Sequence, residues 1–182
     1  MAVGINEYRS SRLDLDYARP DAEGFVEILS RAAGRLFAGT EVFTLCDSDA
    51  TRSAVLQTLD EVAQAARPED VFVFYYAGHG TVVEDMYYFV THENTRLYDQ
   101  AALAQDAISM QEVQREFSQI RALKQLVVKA VRTGAPRDGK ITVYELKAYL
   151  DDQVPILTER NRGEAQYPIT FSRGRDFPLI VN

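Results

Sequence analysis

The sequence is poor in the residues that build redox and metal centres. Its 182 residues include one cysteine, Cys46, and two histidines, His79 and His92. A lone cysteine excludes an internal disulfide and any multi-cysteine metal site. Two histidines without a cysteine cluster do not make metal-ligand spacing, so no metal and no other cofactor is expected. Basic residues are also scarce: 20 Lys and Arg against 27 Asp and Glu give a net charge of −7. That argues against a nucleic-acid partner, which needs a basic stripe to neutralise phosphates. No apolar run approaches the roughly 20 residues of a membrane span, so no membrane partner is expected. No basic and then apolar leader precedes "AVGINEY"; no signal peptide is read, and a reducing cytoplasmic setting is the expectation. A phosphate-cradling glycine loop is missing after "AVGI", which leaves a nucleotide-binding reading without support.

What remains is an ordinary globular composition, 46% hydrophobic and 26% charged, in a chain long enough for one domain with a sizeable core. "AVGI" (2–5) reads as a short buried strand and "NEYRSSRLDLDYARPD" as a polar loop. "DAEGFVEILSRAA" (21–33) has apolar residues at helical spacing. "EVFTLCD" (41–47) reads as a second strand, followed by a helix whose N-cap is Ser48 or Asp49. "DVFVFYYA" (70–77) is apolar throughout, the pattern of a strand buried on both faces. "MYYFVT" (86–91) reads as a short strand or hairpin arm. "SMQEVQREFSQI" (109–120) opens with a Ser109–Glu112 capping box, and "LKQLVV" (123–128) is another buried strand. The alternation predicts an α/β fold with a mainly parallel central sheet flanked by helices.

The last third differs. "TGAPRDGKI" (133–141) reads as a turn region and "TVYELKAYLDDQV" as a helix with a Thr142–Glu145 capping box. "QYPITFS" and "FPLIV" read as closing strands.

The strongest strand ends in Gly78-His79-Gly80. Ligands of parallel sheets sit at the C-terminal strand ends, so His79 lies on the expected functional edge. Imidazole titrates near neutrality and can exchange a proton with a nucleophile. The flanking glycines would let a substrate backbone approach, and the Gly80 N–H could serve as an oxyanion donor. The only thiol, Cys46, ends the second strand. In the usual 2-1-3-4 strand order the first strand separates it from the histidine strand, about 10 Å away, too far for a dyad. Cys46 therefore reads as a small core or strand-end residue. His92, in "THEN", reads as a loop residue, and the tyrosines at 75, 76, 87 and 88 as core.

Seven segments, in order, carry a family resemblance: "AVGINEY", "ARPDAEGF", "DSDATRSAVLQTL", "FVFYYAGHG", "LKQLVV", "DGKITVYELKAYL" and "QYPITFSRGRDFPL". Together the chain resembles bacterial caspase-like and metacaspase-like cysteine peptidases, the clan with the caspase–hemoglobinase fold. The resemblance implies one caspase-like domain over residues 1–182, with a large-subunit-like region at 1–128 and a small-subunit-like region at 129–182. It implies a catalytic His79, an oxyanion N–H from Gly80, and protein or peptide substrates. Asp21 matches an aspartate of the metacaspase S1 pocket, where a carboxylate would pair with an Arg or Lys P1 side chain. The alternative is that Asp21 merely caps the helix at 21–33; both can hold. Bacterial relatives are often fused to sensor domains, so an upstream sensor or activating module is a candidate partner.

The departure from the family is the nucleophile. Family members place a cysteine after the strand matching "LKQLVV", and about 50 residues after the histidine. Here Val128 is followed by Lys-Ala-Val-Arg-Thr-Gly, with no cysteine. The expected loop and following strand are missing too, as though the chain were joined across a gap at the 128/129 junction. Three explanations are open: residues missing from this sequence, cleavage between two parts, or a true deletion. A deletion in mid-sheet would make the chain rejoin the fold with no crossover connection, which favours the first two. Met1, starting within the first strand, agrees with an incomplete sequence.

Two functions follow. One is a cysteine endopeptidase acting through Cys–His acyl transfer after basic residues. The other is an inactive pseudoprotease that binds peptides or partners. Half an EF-hand in "DGKITVYEL" is rejected, because its first two ligand positions would be Gly134 and Pro136.

Overall fold

The computed structural model describes residues 1–34 and 37–122, then the strands at 124–129, 140–142, 171–173 and 178–181 together with the side chain of Gln125. The expected Thr142–Glu145 helix and most of the turn at 133–141 lie outside the described residues.

The main sheet has five strands: β1 (Ala2–Gly4), β2 (Thr44–Cys46), β3 (Val71–Ala77), β7 (Lys124–Lys129) and β9 (Phe171–Arg173), in the order β2-β1-β3-β7-β9. The first four run parallel and β9 antiparallel, so the predicted mainly parallel sheet and the 2-1-3 winding are present. Side chains alternate across β3 as the pleat requires. Tyr75 faces one way and stacks on Phe25 of α1 (Ala18–Ala33), with centroids 4.2 Å apart. Phe72 and Phe74 face the other way and meet Phe117 of α4 (Met110–Gln119) edge to face. α2 (Arg52–Ala65) packs beside α4 and completes that layer, burying Val55, Leu59 and Val62.

Outside the main sheet, β4 (Gly80–Val83), β5 (Met86–Phe89) and β6 (Ile108–Ser109) form an antiparallel ribbon, joined through α3 (Gln100–Asp106). β8 (Lys140–Thr142) pairs antiparallel with β10 (Pro178–Val181).

Local chemistry explains where the elements begin. The Ser109–Glu112 capping box forms in full, with the hydroxyl accepting from the Glu112 N–H at 3.2 Å and the carboxylate from the Ser109 N–H at 3.0 Å. α2 starts later than predicted. Its N-cap is Thr51, whose hydroxyl accepts from Ala54 N–H, because residues 47–49 close a 3-10 turn first. α1 starts earlier, at Ala18, with Tyr17 in the N-cap position. Pro20 fits the first turn, where its missing N–H deprives the helix of nothing. Asp21 is therefore inside the first turn, not its cap, and sits near the positive end of the helix dipole. The second strand is three residues rather than the predicted seven. α3 was not anticipated, nor was β8 at the end of the expected turn, where Ile141 pairs with Ile180. Gln125 is buried within β7 because its amide serves the C-terminal carbonyls of α4, reaching those of Phe117, Ile120 and Ala122 at 3.0–3.2 Å.

Two contacts set the C-terminal edge of the sheet. α1 lies directly on β1 at Gly4: a Cβ there would be 2.7 Å from the Ala22 Cβ and 2.9 Å from the Ala18 carbonyl. Asp47, at φ 48°, turns back under the edge. One of its oxygens accepts from the N–H groups of Asn6 (2.8 Å) and Glu7 (3.0 Å); the other takes Arg19 Nη1 (3.0 Å). Burial opposes its ionisation, but the two N–H groups and the guanidinium outweigh burial and hold the carboxyl below its usual range.

Gly4→Ala should lower stability by roughly 1–3 kcal/mol, because backbone atoms cannot yield to a new methyl; urea unfolding measures it. A carboxyl depressed in the folded state stabilises above its unfolded pKa and ceases to do so as pH falls through the folded value. Stability should thus decline below about pH 4. Asp47→Asn should flatten that decline in urea melts taken across the acid range.

Candidate active site

β3 carries Ala77 to the C-terminal edge and the chain turns through Gly78 into His79 before β4 begins at Gly80. The loop after β1, residues 5–17, folds over the same edge. It is held at several points: Leu15 N–H to Asn6 O (2.8 Å), Tyr8 N–H to Asp14 Oδ1 (2.9 Å), and Arg9 N–H to His92 O (2.9 Å). His92 is therefore more than a loop residue. Its Nδ1 donates to the Glu7 carbonyl at 2.7 Å and its N–H to Ala50 at 3.1 Å, so it ties three edge loops together.

The loop reaches the His79 ring through a main-chain atom. The Leu13 carbonyl is 2.8 Å from Nε2. A carbonyl only accepts, so Nε2 carries the proton and Nδ1 has the lone pair in the neutral ring. The His79 N–H donates to the Tyr8 hydroxyl at 2.9 Å, and the Tyr8 ring lies against the imidazole with centroids 5.2 Å apart. The Tyr76 hydroxyl is 2.8 Å from the His79 carbonyl and 2.7 Å from that of Val90. Burial pushes the Tyr8 hydroxyl up to about 12 and Tyr76 well above its ordinary value, so both remain neutral donors and acceptors.

The structure gives the glycines a steric reason. A Cβ on Gly78 would meet the hydroxyls of Tyr76 and Tyr8, both at 2.8 Å, and one on Gly80 would lie 1.9 Å from the Tyr87 hydroxyl. The space flanking His79 is filled by the protein's own tyrosines. The Gly80 N–H nevertheless turns outward. Val90 N–H donates to the His79 carbonyl, which makes 79/90 the hydrogen-bonded pair of the antiparallel ladder. Gly80, opposite Phe89, is then in a non-bonded pair and points its N–H away from β5, on the outer side of the edge strand β4.

The other sequence candidates fall as follows. Gly4 pairs with Cys46 on one side and Ala77 on the other. Cys46 is thus two strand spacings from β3, roughly 10 Å, as the winding order predicts. Burial, then the carboxylate of Glu23, push its thiol up, with Arg19 pulling the other way. A thiol so shifted is a poor nucleophile. Asp21 is exposed on the first turn of α1, near enough to Tyr75 for its charge to hold that phenol up beyond the effect of burial. It shares the C-terminal edge with His79 but belongs to the α1 face of the sheet. On the far side of β3 the register pairs Tyr76 with Lys129, so the end of β7 is the adjacent strand end at this edge. The sequence there reads Lys129-Ala130-Val131-Arg132-Thr133, without a thiol. Among the described residues no cluster of metal-ligating side chains occurs, and no helix is long and apolar enough to cross a membrane.

Sequence reasoning missed the Leu13 carbonyl and the tyrosines. A main-chain carbonyl leaves no mark in a sequence. The Tyr8 hydroxyl had one: "NEY" follows the first strand directly, at the functional edge.

An open groove of about 830 Å³ exists elsewhere, lined by Met1, Phe25, Leu29, Val42 and Phe72 among others. It lies at the N-terminal edge of β1 and β3, opposite His79, and its walls hold neither histidine nor cysteine.

Comparison with solved structures finds the crystal structure of protein GSU0716 from Geobacter sulfurreducens, with a TM-score of 0.54 at 14% identity over 96% of this chain and 93% of that one. At that identity the likeness is one of fold. Comparison with curated proteins finds no match. The caspase domain family model, Peptidase_C14, matches residues 1–159, a span that takes in the His79 edge and β7. The chain belongs to the caspase domain family.

Proposed function

We propose that the protein is a caspase-type cysteine endopeptidase in which His79 moves the proton and Gly80 supplies an oxyanion N–H. The observation that carries the reading is the His79 ring itself. Its Nε2 is committed to the Leu13 carbonyl at the C-terminal edge, so Nδ1 has the lone pair a general base requires. The nucleophile belongs at the end of β7, in a segment following Val128 that this sequence lacks. A thiolate there attacks the scissile carbonyl and the C–N bond breaks. The imidazolium of His79 gives its proton to the leaving amine, and water then hydrolyses the thioester. The oxyanion draws on the Gly80 N–H and on the nucleophile's own. Asp21 favours substrates with Arg or Lys at P1, by charge complementarity at the same edge. No metal or cofactor enters this scheme.

A second reading has one observation behind it. The only thiol present is Cys46, two strands away and with its pKa raised. A chain that truly joins Val128 to Lys129 would be a peptide-binding or interaction module.

The two readings separate on Arg- and Lys-peptide reporters. His79→Ala should lower kcat by about 10²–10⁴-fold, the usual worth of a positioned acid–base group. Asp21→Ala should raise KM for basic peptides about tenfold while leaving the melting temperature in place. Cleavage by His79→Ala at the wild-type rate would remove the catalytic assignment. Cys46→Ser should cleave as wild type does, and Cys46 should react slowly with iodoacetamide at neutral pH. Loss of cleavage in Cys46→Ser would make Cys46 the nucleophile.

A further inference from the structure

The ribbon that follows His79 presents an edge of its own. β4 and β5 are joined by a two-residue turn, Glu84-Asp85, with φ of 49° and 60°. Two left-handed residues suit the twist of a hairpin, and such a turn closes on a hydrogen-bonded pair. Val83 and Met86 are that pair. The bond from Val90 N–H to the His79 carbonyl sets the same phase at the other end of the strand. Thr81 with Tyr88 is then the bonded pair in between, and Gly80 and Val82 both turn their N–H and C=O groups away from β5. Among the described residues no strand pairs with that side of β4. An edge of this kind is a template for one more strand. The apolar Val82 side chain stands beside it, 60% exposed.

The first N–H of this edge belongs to Gly80, the proposed oxyanion donor. The ribbon packs on the face of β3 opposite α1. Phe89 meets Phe74 and Tyr76 edge to face, with centroids 6.2 and 5.1 Å apart, whereas Tyr75 stacks on α1. Asp21 belongs to the α1 side. A peptide that sends a basic P1 side chain toward Asp21 and rests its scissile carbonyl on Gly80 therefore crosses the sheet edge toward the ribbon. The residues after the scissile bond then meet β4.

We propose that the outer edge of β4 docks the primed side of the substrate, the extended segment that follows the cleaved bond, as an added parallel strand. Parallel pairing fixes the partners. Gly80 N–H donates to the P1 carbonyl. The P2′ N–H donates to the Gly80 carbonyl, and the P2′ carbonyl accepts from Val82 N–H. P3′ lies opposite Val82 on the same face, where an apolar side chain covers the exposed valine. Main-chain bonds give such strand addition its affinity, and the side-chain contact gives it selectivity. The proposal rests on the protease reading of the same site.

The test compares two substrates of the full chain that share every residue up to a P1 arginine. One continues for four more residues, with leucine at P3′; the other ends in a coumarin amide. Val82→Pro deletes one outward N–H and no bond to β5, a change that edge strands tolerate. It should lower the peptide-to-coumarin ratio of kcat/KM about fivefold, the effect of one net hydrogen bond. Methylating the P2′ nitrogen should lower wild-type peptide cleavage by a similar factor, whereas methylating the P3′ nitrogen, which points away from β4, should not. A ratio unchanged in Val82→Pro, or equal losses for the two methyl groups, overturns the proposal. Should Val82→Pro fail to fold, the methylated peptides decide alone on the wild type. A protein that cleaves neither substrate loses the protease reading. The edge is then judged by titrating the ¹⁵N-labelled full chain with the same peptide: shifted Gly80 and Val82 amide signals keep it as a peptide-docking edge, and unmoved signals overturn it.

Discussion

One carboxylate organises the edge on which everything functional stands. Asp47 leaves β2 with a left-handed backbone and places its two oxygens under the exit of β1 and beside the start of α1. The two amides it accepts belong to the first residues of the loop that later supplies Tyr8 and Leu13. Without such an acceptor, those amides would be half-buried donors with no strand to pair with, a cost of about 1–3 kcal/mol each. The exits of β1 and β2 and the start of α1 are therefore coupled through side-chain chemistry rather than through the sheet ladder. His92 performs a parallel task on the other side of the loop by holding the Glu7 carbonyl and the Ala50 carbonyl.

The consequence is a histidine placed by things other than its own strand. β3 delivers it to the edge, and the turn through Gly78 takes it out of the main sheet. Leu13, Tyr8 and Tyr76 then fix it again. The same residues account for the tyrosine-rich motif. Tyr76 and Tyr87 lie in hydrophobic surroundings, as core residues would, yet their hydroxyls reach the positions where Cβ atoms of a less permissive Gly-His-Gly would sit. Aromatic bodies build the core and polar tips line the site.

Much of this was legible in the sequence where the physics is local or periodic. "VFVFYYA" read as a buried parallel strand because its side chains are apolar toward both faces, and Ser109 with Glu112 read as a cap because the box needs only four residues. Cys46 could be set aside from strand order alone. Helix starts were less legible: residues 47–51 hold several cap-competent side chains, and the positive φ at Asp47, which the sequence does not display, decides for Thr51. Asp21 looked like a cap and proved to lie within the first turn of the helix, since Pro20 is compatible with a first turn as well as with a loop. The short α3 escaped because its alanines give little periodic contrast. The Leu13 carbonyl could not be read at all, because every residue has one.

The fold and the family stand without the nucleophile; the enzyme does not. The most direct test is the denatured intact mass of the purified protein, followed by peptide mapping across Val128–Lys129. The protease account predicts a peptide in which Leu126-Val127-Val128 leads into a segment containing cysteine, in one chain heavier than 20.5 kDa or in two. A single 20.5 kDa chain with Val128 bonded to Lys129 would contradict it and leave a caspase-fold binding module.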